Sequence, residues 1–87
     1  MCTMIVEKVS VTGVAKGGAN WFPVQQVNVG YDHPFRLPLE HALTLDFVNE
    51  SQGPGARVAV ELTPQSAQQL LDTLRDVLAQ GAAAEAA

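Results

Sequence analysis

The sequence has little cysteine, little positive charge and no long apolar run. Its single cysteine cannot form an internal disulfide bond, which is typical of proteins from a reducing compartment. Five scattered lysine and arginine residues, against nine acidic ones, provide no basic cluster for a nucleic-acid backbone. No apolar run approaches the roughly 18 residues of a membrane span. We therefore expect a cytoplasmic protein without a signal peptide that binds neither nucleic acid nor membrane.

The composition that remains is that of one small folded domain, with 87 residues of which 47% are hydrophobic and 16% charged. β-Branched residues and apolar–polar alternation predict four strands, at residues 4–14, 21–33, 41–48 and 56–62. Gly17-Gly18 predicts a tight hairpin turn between the first two strands, because glycine adopts the positive φ angles of such turns. Short connections of this kind favour an antiparallel meander.

A helix is predicted after the fourth strand, with Thr63 as N-cap and Pro64 as its first residue. Its buried stripe is expected to consist of Ala67, Leu70, Leu71, Leu74, Val77 and Leu78. Gly81 should end the helix, and residues 81–87 should form a flexible, alanine-rich tail. The predicted fold is α+β: residues 1–80 form a four-stranded antiparallel meander sheet with one C-terminal helix packed on one face.

Both histidines lie at the ends of a proline-containing loop, residues 34–40. If Gly17-Gly18 is the hairpin turn, Cys2 pairs with His33, and a loop centred on Leu37 pairs His33 with His41. Directly opposed residues share a face, so Cys2, His33 and His41 would form one row across three strands. A register slip of one residue would separate them.

Thiolate and imidazole ligands suit a transition metal ion, namely zinc, copper, iron or nickel. The sequence therefore supports a mononuclear metal site made by Cys2, His33 and His41, in a metal-binding protein or a metal-dependent enzyme. Glu40 and Asp32 are the corresponding candidates for catalytic base or second coordination shell. If Met1 is removed, the amine of Cys2 becomes a further candidate ligand. The substrate is not indicated.

The alternative is a structural or protein-interaction module without a metal site, in which the histidines end their strands and Cys2 is a small hydrophobe. No compact CxxC or HExxH motif decides between the two. This module would act through a homo-oligomer interface.

The apolar pattern of the first two strands changes parity near the hairpin, where Val9, Val11, Val24 and Phe22 follow a different alternation. Such a change indicates either paired bulges that turn the side chains inward or a second apolar patch on the open face of the sheet. We expect the second, and hence a homodimer through the open face or edges of these strands, without the helix.

Several motifs resemble a family of small actinobacterial proteins that is classed as a domain of unknown function. They are the run at residues 1–3, Lys16-Gly17, Trp21-Phe22-Pro23, Tyr31-Asp32-His33-Pro34, Glu40-His41, and the runs at residues 45–49 and 53–62. The likeness covers nearly the whole chain up to the helix. It implies a bacterial cytoplasmic origin and no particular activity.

Overall fold

The computed structural model of the chain describes residues 3–86. Its strands β1 (Ile5–Gly17), β2 (Asn20–Asp32), β3 (Ala42–Val48) and β4 (Arg57–Leu62) form one antiparallel sheet in the order β1-β2-β3-β4. A single 3₁₀ turn, Glu50–Gln52, lies between β3 and β4, and helix α1 (Pro64–Ala86) follows β4. The predicted α+β meander with one C-terminal helix is confirmed.

The register assigns each side chain to one of two sheet faces, because directly opposed residues share a face. Val29 pairs with Leu45 and Leu45 with Val60. We call their side the helix face, since Val29 and Leu45 line the space beneath α1. The opposite side, here the open face, carries the row Asn28, Asp46 and Ala59.

The β1–β2 hairpin turns at Gly18 and Ala19, one residue later than predicted. Gly18 has a φ of +62°, which glycine adopts without the steric penalty of a Cβ atom. The predicted register, which pairs Cys2 with His33, would place Met4 opposite Tyr31. Ile5 lies there instead, so that register was wrong by one residue. The predicted β2–β3 register, with a loop centred on Leu37, would place Tyr31 opposite Leu43, and this pairing is confirmed.

A β-bulge separates the two halves of the β1–β2 ladder. The register shifts between Ser10 and Gly13, so that two residues of β1 lie opposite one residue of β2. Beyond the bulge, Val11 and Val24 pack with Phe47 and Val58. The expected apolar patch on the open face was therefore wrong: the extra residue turns these side chains toward the helix face.

The start of α1 follows the prediction, and its end does not. The Thr63 hydroxyl accepts a hydrogen bond from the backbone N–H of Ser66 at 3.1 Å, as an N-cap does. The helix continues past Gly81 to Ala86. Alanine has the highest helix propensity of all residues, and an interior glycine costs only about 1 kcal/mol, so one glycine does not end this helix.

The apolar stripe of α1 is not buried within one chain. The buried apolar residues lie in the strands and the β3–β4 connection, and none lies in α1: Phe22, Val24, Val27, Ala42, Val48 and Ala56. Leu70 is 41% exposed, Leu74 52% and Leu78 72%. This rising exposure means that the helix diverges from the sheet toward its C-terminal end.

Candidate functional site

The two histidines lie at one corner of the sheet, where β2 ends and β3 begins. The last pair of the β2–β3 ladder is Asp32 with Ala42. His33 follows β2 directly, and His41 directly precedes β3. The His41 ring stacks on Tyr31, with ring centroids 5.7 Å apart and an interplanar angle of 16°. Both histidines of the predicted metal site therefore lie at the same corner.

The orientation of His33 is fixed by the loop that joins the two strands. Its Nδ1 atom lies 3.1 Å from the backbone carbonyl oxygen of Glu40. Because a carbonyl oxygen can only accept, this hydrogen bond requires the proton on Nδ1, and in the neutral imidazole Nε2 then has the free electron pair. Histidine ligands of metal ions commonly have this arrangement, with one ring nitrogen donating to a backbone carbonyl.

Asp32 and Thr3 connect the start of the chain to this corner. One carboxylate oxygen of Asp32 accepts the backbone N–H of His33 at 2.7 Å and that of Thr3 at 3.3 Å. The Thr3 hydroxyl donates to the backbone carbonyl of Tyr31. Cys2, the third predicted ligand, lies outside the described residues. Thr3, its neighbour in the chain, is held at the histidine corner.

The predicted row of Cys2, His33 and His41 depended on a β1–β2 register that the structure does not have. Among residues 3–86, no three His, Cys, Asp or Glu side chains come close enough together to hold a metal ion. Of the two predicted acid–base residues, Asp32 binds backbone N–H groups and the exposed Glu40 contributes its carbonyl to His33. These contacts give both residues a structural role at the corner.

Sequence analysis missed the residue that holds the loop. The Glu61 carboxylate, on the open face at the end of β4, accepts the backbone N–H groups of Phe35 at 2.6 Å, Arg36 at 2.9 Å and Leu37 at 3.2 Å. The Phe35 N–H bond contributes most to holding the pKa of Glu61 below its ordinary value of 4.5. The available signal was a carboxylate pointing outward from β4 without a basic residue opposite it.

The helix face contains an apolar cavity. A cavity of about 420 Å³ lies between α1 and the sheet. Its walls come from three strands and the first half of the helix: Val29, Tyr31, Leu43, Leu45, Leu62, Ala67, Leu70, Leu71 and Leu74, with Pro64 and Gln68 at the rim. Tyr31 contributes to this wall and also stacks on His41. The cavity and the histidine corner are therefore adjacent.

The open face is more polar. Asp46 receives the Nε–H of Arg57 at 2.6 Å, and the Gln26 amide donates to Asn28 at 2.7 Å. Gly30 leaves room there for the Thr44 hydroxyl, which a Cβ atom at position 30 would meet at 2.6 Å. These contacts pair Asp46 with Arg57 and Gln26 with Asn28 across the open face.

Comparison with known families gives one match. DUF6295, a family of unknown function, matches residues 1–87. Comparisons with curated proteins and with solved structures give no match. No helix among residues 3–86 is both long enough and apolar enough to cross a bilayer.

Proposed function

We propose that this chain, which belongs to the DUF6295 family, is a protein-interaction module that assembles through a homo-oligomer interface. The observation that carries this proposal is the surface that one chain leaves exposed. The large side chains of α1 that should form its buried stripe are all more than one-third accessible. An exposed apolar surface of this extent is typical of a protein–protein interface.

The surface area of the chain is too large for a compact monomer of its size. A folded monomer of 9.2 kDa is expected to expose about 4,900 Å², whereas this chain exposes 6625 Å². The excess is about 1,700 Å² per chain. A standard interface removes only about 800 Å² from each partner, so the excess is sufficient for a stable dimer.

The dimensions of the chain agree with its surface area. Its radius of gyration is 14.9 Å, against about 12 Å for a compact domain of 87 residues. A helix that diverges from its sheet accounts for both values, because it extends the molecule and exposes two apolar surfaces at once. Association with a second chain would restore the missing burial.

Sedimentation or multi-angle light scattering of the untagged protein tests this proposal. At tens of micromolar we expect a particle of twice the chain mass of 9.2 kDa. A monomer that persists at several hundred micromolar would contradict the proposed module, because so large an apolar surface should associate at that concentration.

A second candidate function is metal binding at the histidine corner, by His33 and His41 with Cys2 and a zinc, copper, iron or nickel ion. The hydrogen bond from His33 Nδ1 to the Glu40 carbonyl favours it, because it directs the Nε2 electron pair away from the loop. Thr3, the residue that follows Cys2 in the sequence, is hydrogen-bonded at the same corner, which also supports this candidate. Asp32 and Glu40 would then act in the second coordination shell or as a base.

Metal analysis of untagged protein tests the second candidate. A stoichiometric ion that is lost in Cys2→Ser and in His41→Ala supports it. The matched control for Cys2→Ser is Thr3→Ser, a variant that retains both the Cys2 thiol and a hydroxyl at position 3. Absence of any bound ion, together with no affinity for added zinc or copper, would exclude the metal site without affecting the interaction module.

We also propose a bacterial, cytoplasmic origin for the chain. The resemblance to small actinobacterial proteins and the single cysteine support a bacterial cytoplasmic protein. Fractionation of producing cells would test this, and recovery in a secreted fraction would contradict it.

A further inference from the structure

We infer that two copies of the chain associate by crossing their helices, so that Val77 and Leu78 of each α1 pack on the exposed β1 side of the other copy's helix face. This inference rests on the proposed homo-oligomer interface and assigns the surfaces that form it. Four observations carry it: the uncovered β1 side of the helix face, the divergence of α1, the charged residues of the open face, and the area available.

The first observation is that α1 covers only part of the helix face. A helix with side chains is about 10 Å wide and strands lie about 4.8 Å apart, so one helix covers roughly two strands. Helix α1 contacts β3 and β4, and the cavity beneath it reaches Val29 and Tyr31 of β2 but no residue of β1. On the remaining half, Ile5 is 52% exposed and Val9 51% exposed, and both belong to the helix face because they pair with Tyr31 and Val27. There is space for a second helix beside the first.

The second observation is that the apolar stripe of α1 extends beyond its own sheet. Ala67, Leu70, Leu71 and Leu74 line the cavity beneath the helix. Val77 and Leu78 are not among the residues that line it, and they are 58% and 72% exposed. The first half of the stripe therefore serves its own chain, and the second half is available to another.

The third observation excludes the open face as the main contact. That face carries Lys8, Asn28, Asp46 and Arg57 in neighbouring positions, and Arg57 already binds Asp46. Placing such a surface in an interface would remove water from charged groups that gain no new partner. The helix face of β1 has a single charged residue, Glu7, between Ile5 and Val9.

The fourth observation is that the two unpaired surfaces occur on the same chain and complement each other. One copy offers the second half of its stripe and accepts that of its partner, which is the requirement for a closed two-fold dimer. Two such contacts are made in each dimer. The excess surface of about 1,700 Å² per chain is about twice the area that each partner loses in a standard interface.

Three variants test the inference, and β1 supplies a matched control. Val9 and Val6 are the same residue type on the same strand, with exposures of 51% and 54%, but Val9 lies on the helix face and Val6 on the open face. We expect Val9→Asp to raise the dimer dissociation constant at least about 100-fold, because each variant affects both symmetric contacts. Val6→Asp should change it less than about threefold.

Leu78→Asp tests the helix side of the same contact. Leu78 is 72% exposed, so this variant should fold as the wild type does, which circular dichroism verifies. It should weaken the dimer as strongly as Val9→Asp. In a Cys2→Ser background, the pair Val9→Cys and Leu78→Cys should form a disulfide-linked dimer under oxidation, whereas Val6→Cys with Leu78→Cys should not.

Each outcome has a defined meaning. A wild-type monomer would overturn both the inference and the proposed module. A wild-type dimer that Val6→Asp and Val9→Asp weaken equally would indicate pairing through the edge of β1, which overturns the crossed helices and leaves the module in place. A dimer that is insensitive to Leu78→Asp would also overturn the inference.

Discussion

Replacement of Asn49 by alanine should be among the most destabilising single substitutions in this chain. Asn49 is 1% exposed and is the one buried polar residue among those described. Its amide donates to the Pro23 carbonyl at 2.8 Å, and its carbonyl oxygen accepts the backbone N–H of Ser51 at 3.1 Å and the Ser51 hydroxyl at 2.6 Å. One side chain thus joins β2 to the turn between β3 and β4.

The magnitude follows from the groups that lose their partners. Loss of the cap on the 3₁₀ turn costs about 1 kcal/mol. Leaving the Pro23 carbonyl without a donor costs about 1–3 kcal/mol more. The total, about 2–4 kcal/mol, is a large fraction of the roughly 4–13 kcal/mol expected for a domain of this length.

Urea unfolding at one fixed protein concentration measures this loss. With a slope of about 1–2 kcal/mol/M, the Asn49→Ala midpoint should fall by at least about 1 M. The control is Asn28→Ala on the half-buried open face, where one hydrogen bond from Gln26 is lost and less than about 1 kcal/mol is expected. An Asn49→Ala midpoint equal to that of Asn28→Ala would refute the reasoning, since the buried contacts would then contribute nothing extra.

Three further substitutions have defined outcomes. Glu61→Gln should speed hydrogen exchange of the Phe35 and Arg36 amides at neutral pH. Because the folded pKa of Glu61 lies below 4.5, its contribution to stability is present above pH 4.5 and is lost as the pH falls through the folded pKa. The Gln variant should lack this pH dependence of stability. Parallel profiles of stability against pH for the two proteins would contradict the prediction. Gly30→Ala should cost about 1–3 kcal/mol of stability through contact of the new Cβ atom with the Thr44 hydroxyl. Adding Thr44→Ala to the same chain should restore stability. Failure to restore it would show that contact with the Ile5 carbonyl, 3.3 Å away, causes most of the loss. Thr63→Ala should lower thermal stability by about 1 kcal/mol through loss of the N-cap, and an unchanged melting temperature would contradict this.

The strands and the helix start could be predicted from the sequence because local signals determine them. Alternation sets β3, and Thr63-Pro64 sets the first turn of α1. The β2–β3 register was also predictable. A loop centred on Leu37 places Tyr31 opposite Leu43 and keeps the apolar residues of both strands on one face.

The β1–β2 register was not predictable in the same way. Gly17 and Gly18 both permit a turn, and only the structure shows that Gly18 adopts the positive φ. A bulge then displaces the ladder by one residue between Ser10 and Gly13. Turn position and bulge together alter which residue of the first strand lies nearest His33. The parity change of the apolar residues was consistent with a bulge, but it was equally consistent with a second apolar patch.

The apolar pattern of α1 identified its stripe but could not indicate which sheet covers it. A stripe at helical spacing predicts burial, and it is equally consistent with burial against the same chain or against a second one. The exposure that rises from Leu70 to Leu78 favours the second for the C-terminal half. The sequence-based prediction assigned the whole stripe to one chain and therefore placed the dimer contact on the open face or edges of the first two strands, whereas the inference above places it on the helix face.

The two candidate functions share one side chain, Tyr31, and this allows their independence to be tested. Tyr31 stacks on His41 at the corner and also lines the cavity beneath α1. If a metal ion fixes the His41 ring and association fixes the helix, each event orders Tyr31, and each should then strengthen the other by the same factor. Metal affinity would be lower in the monomeric Leu78→Asp variant than in the wild-type dimer. Equal affinities in the two proteins would mean that the corner and the interface act separately, with Tyr31 as a fixed part of the sheet.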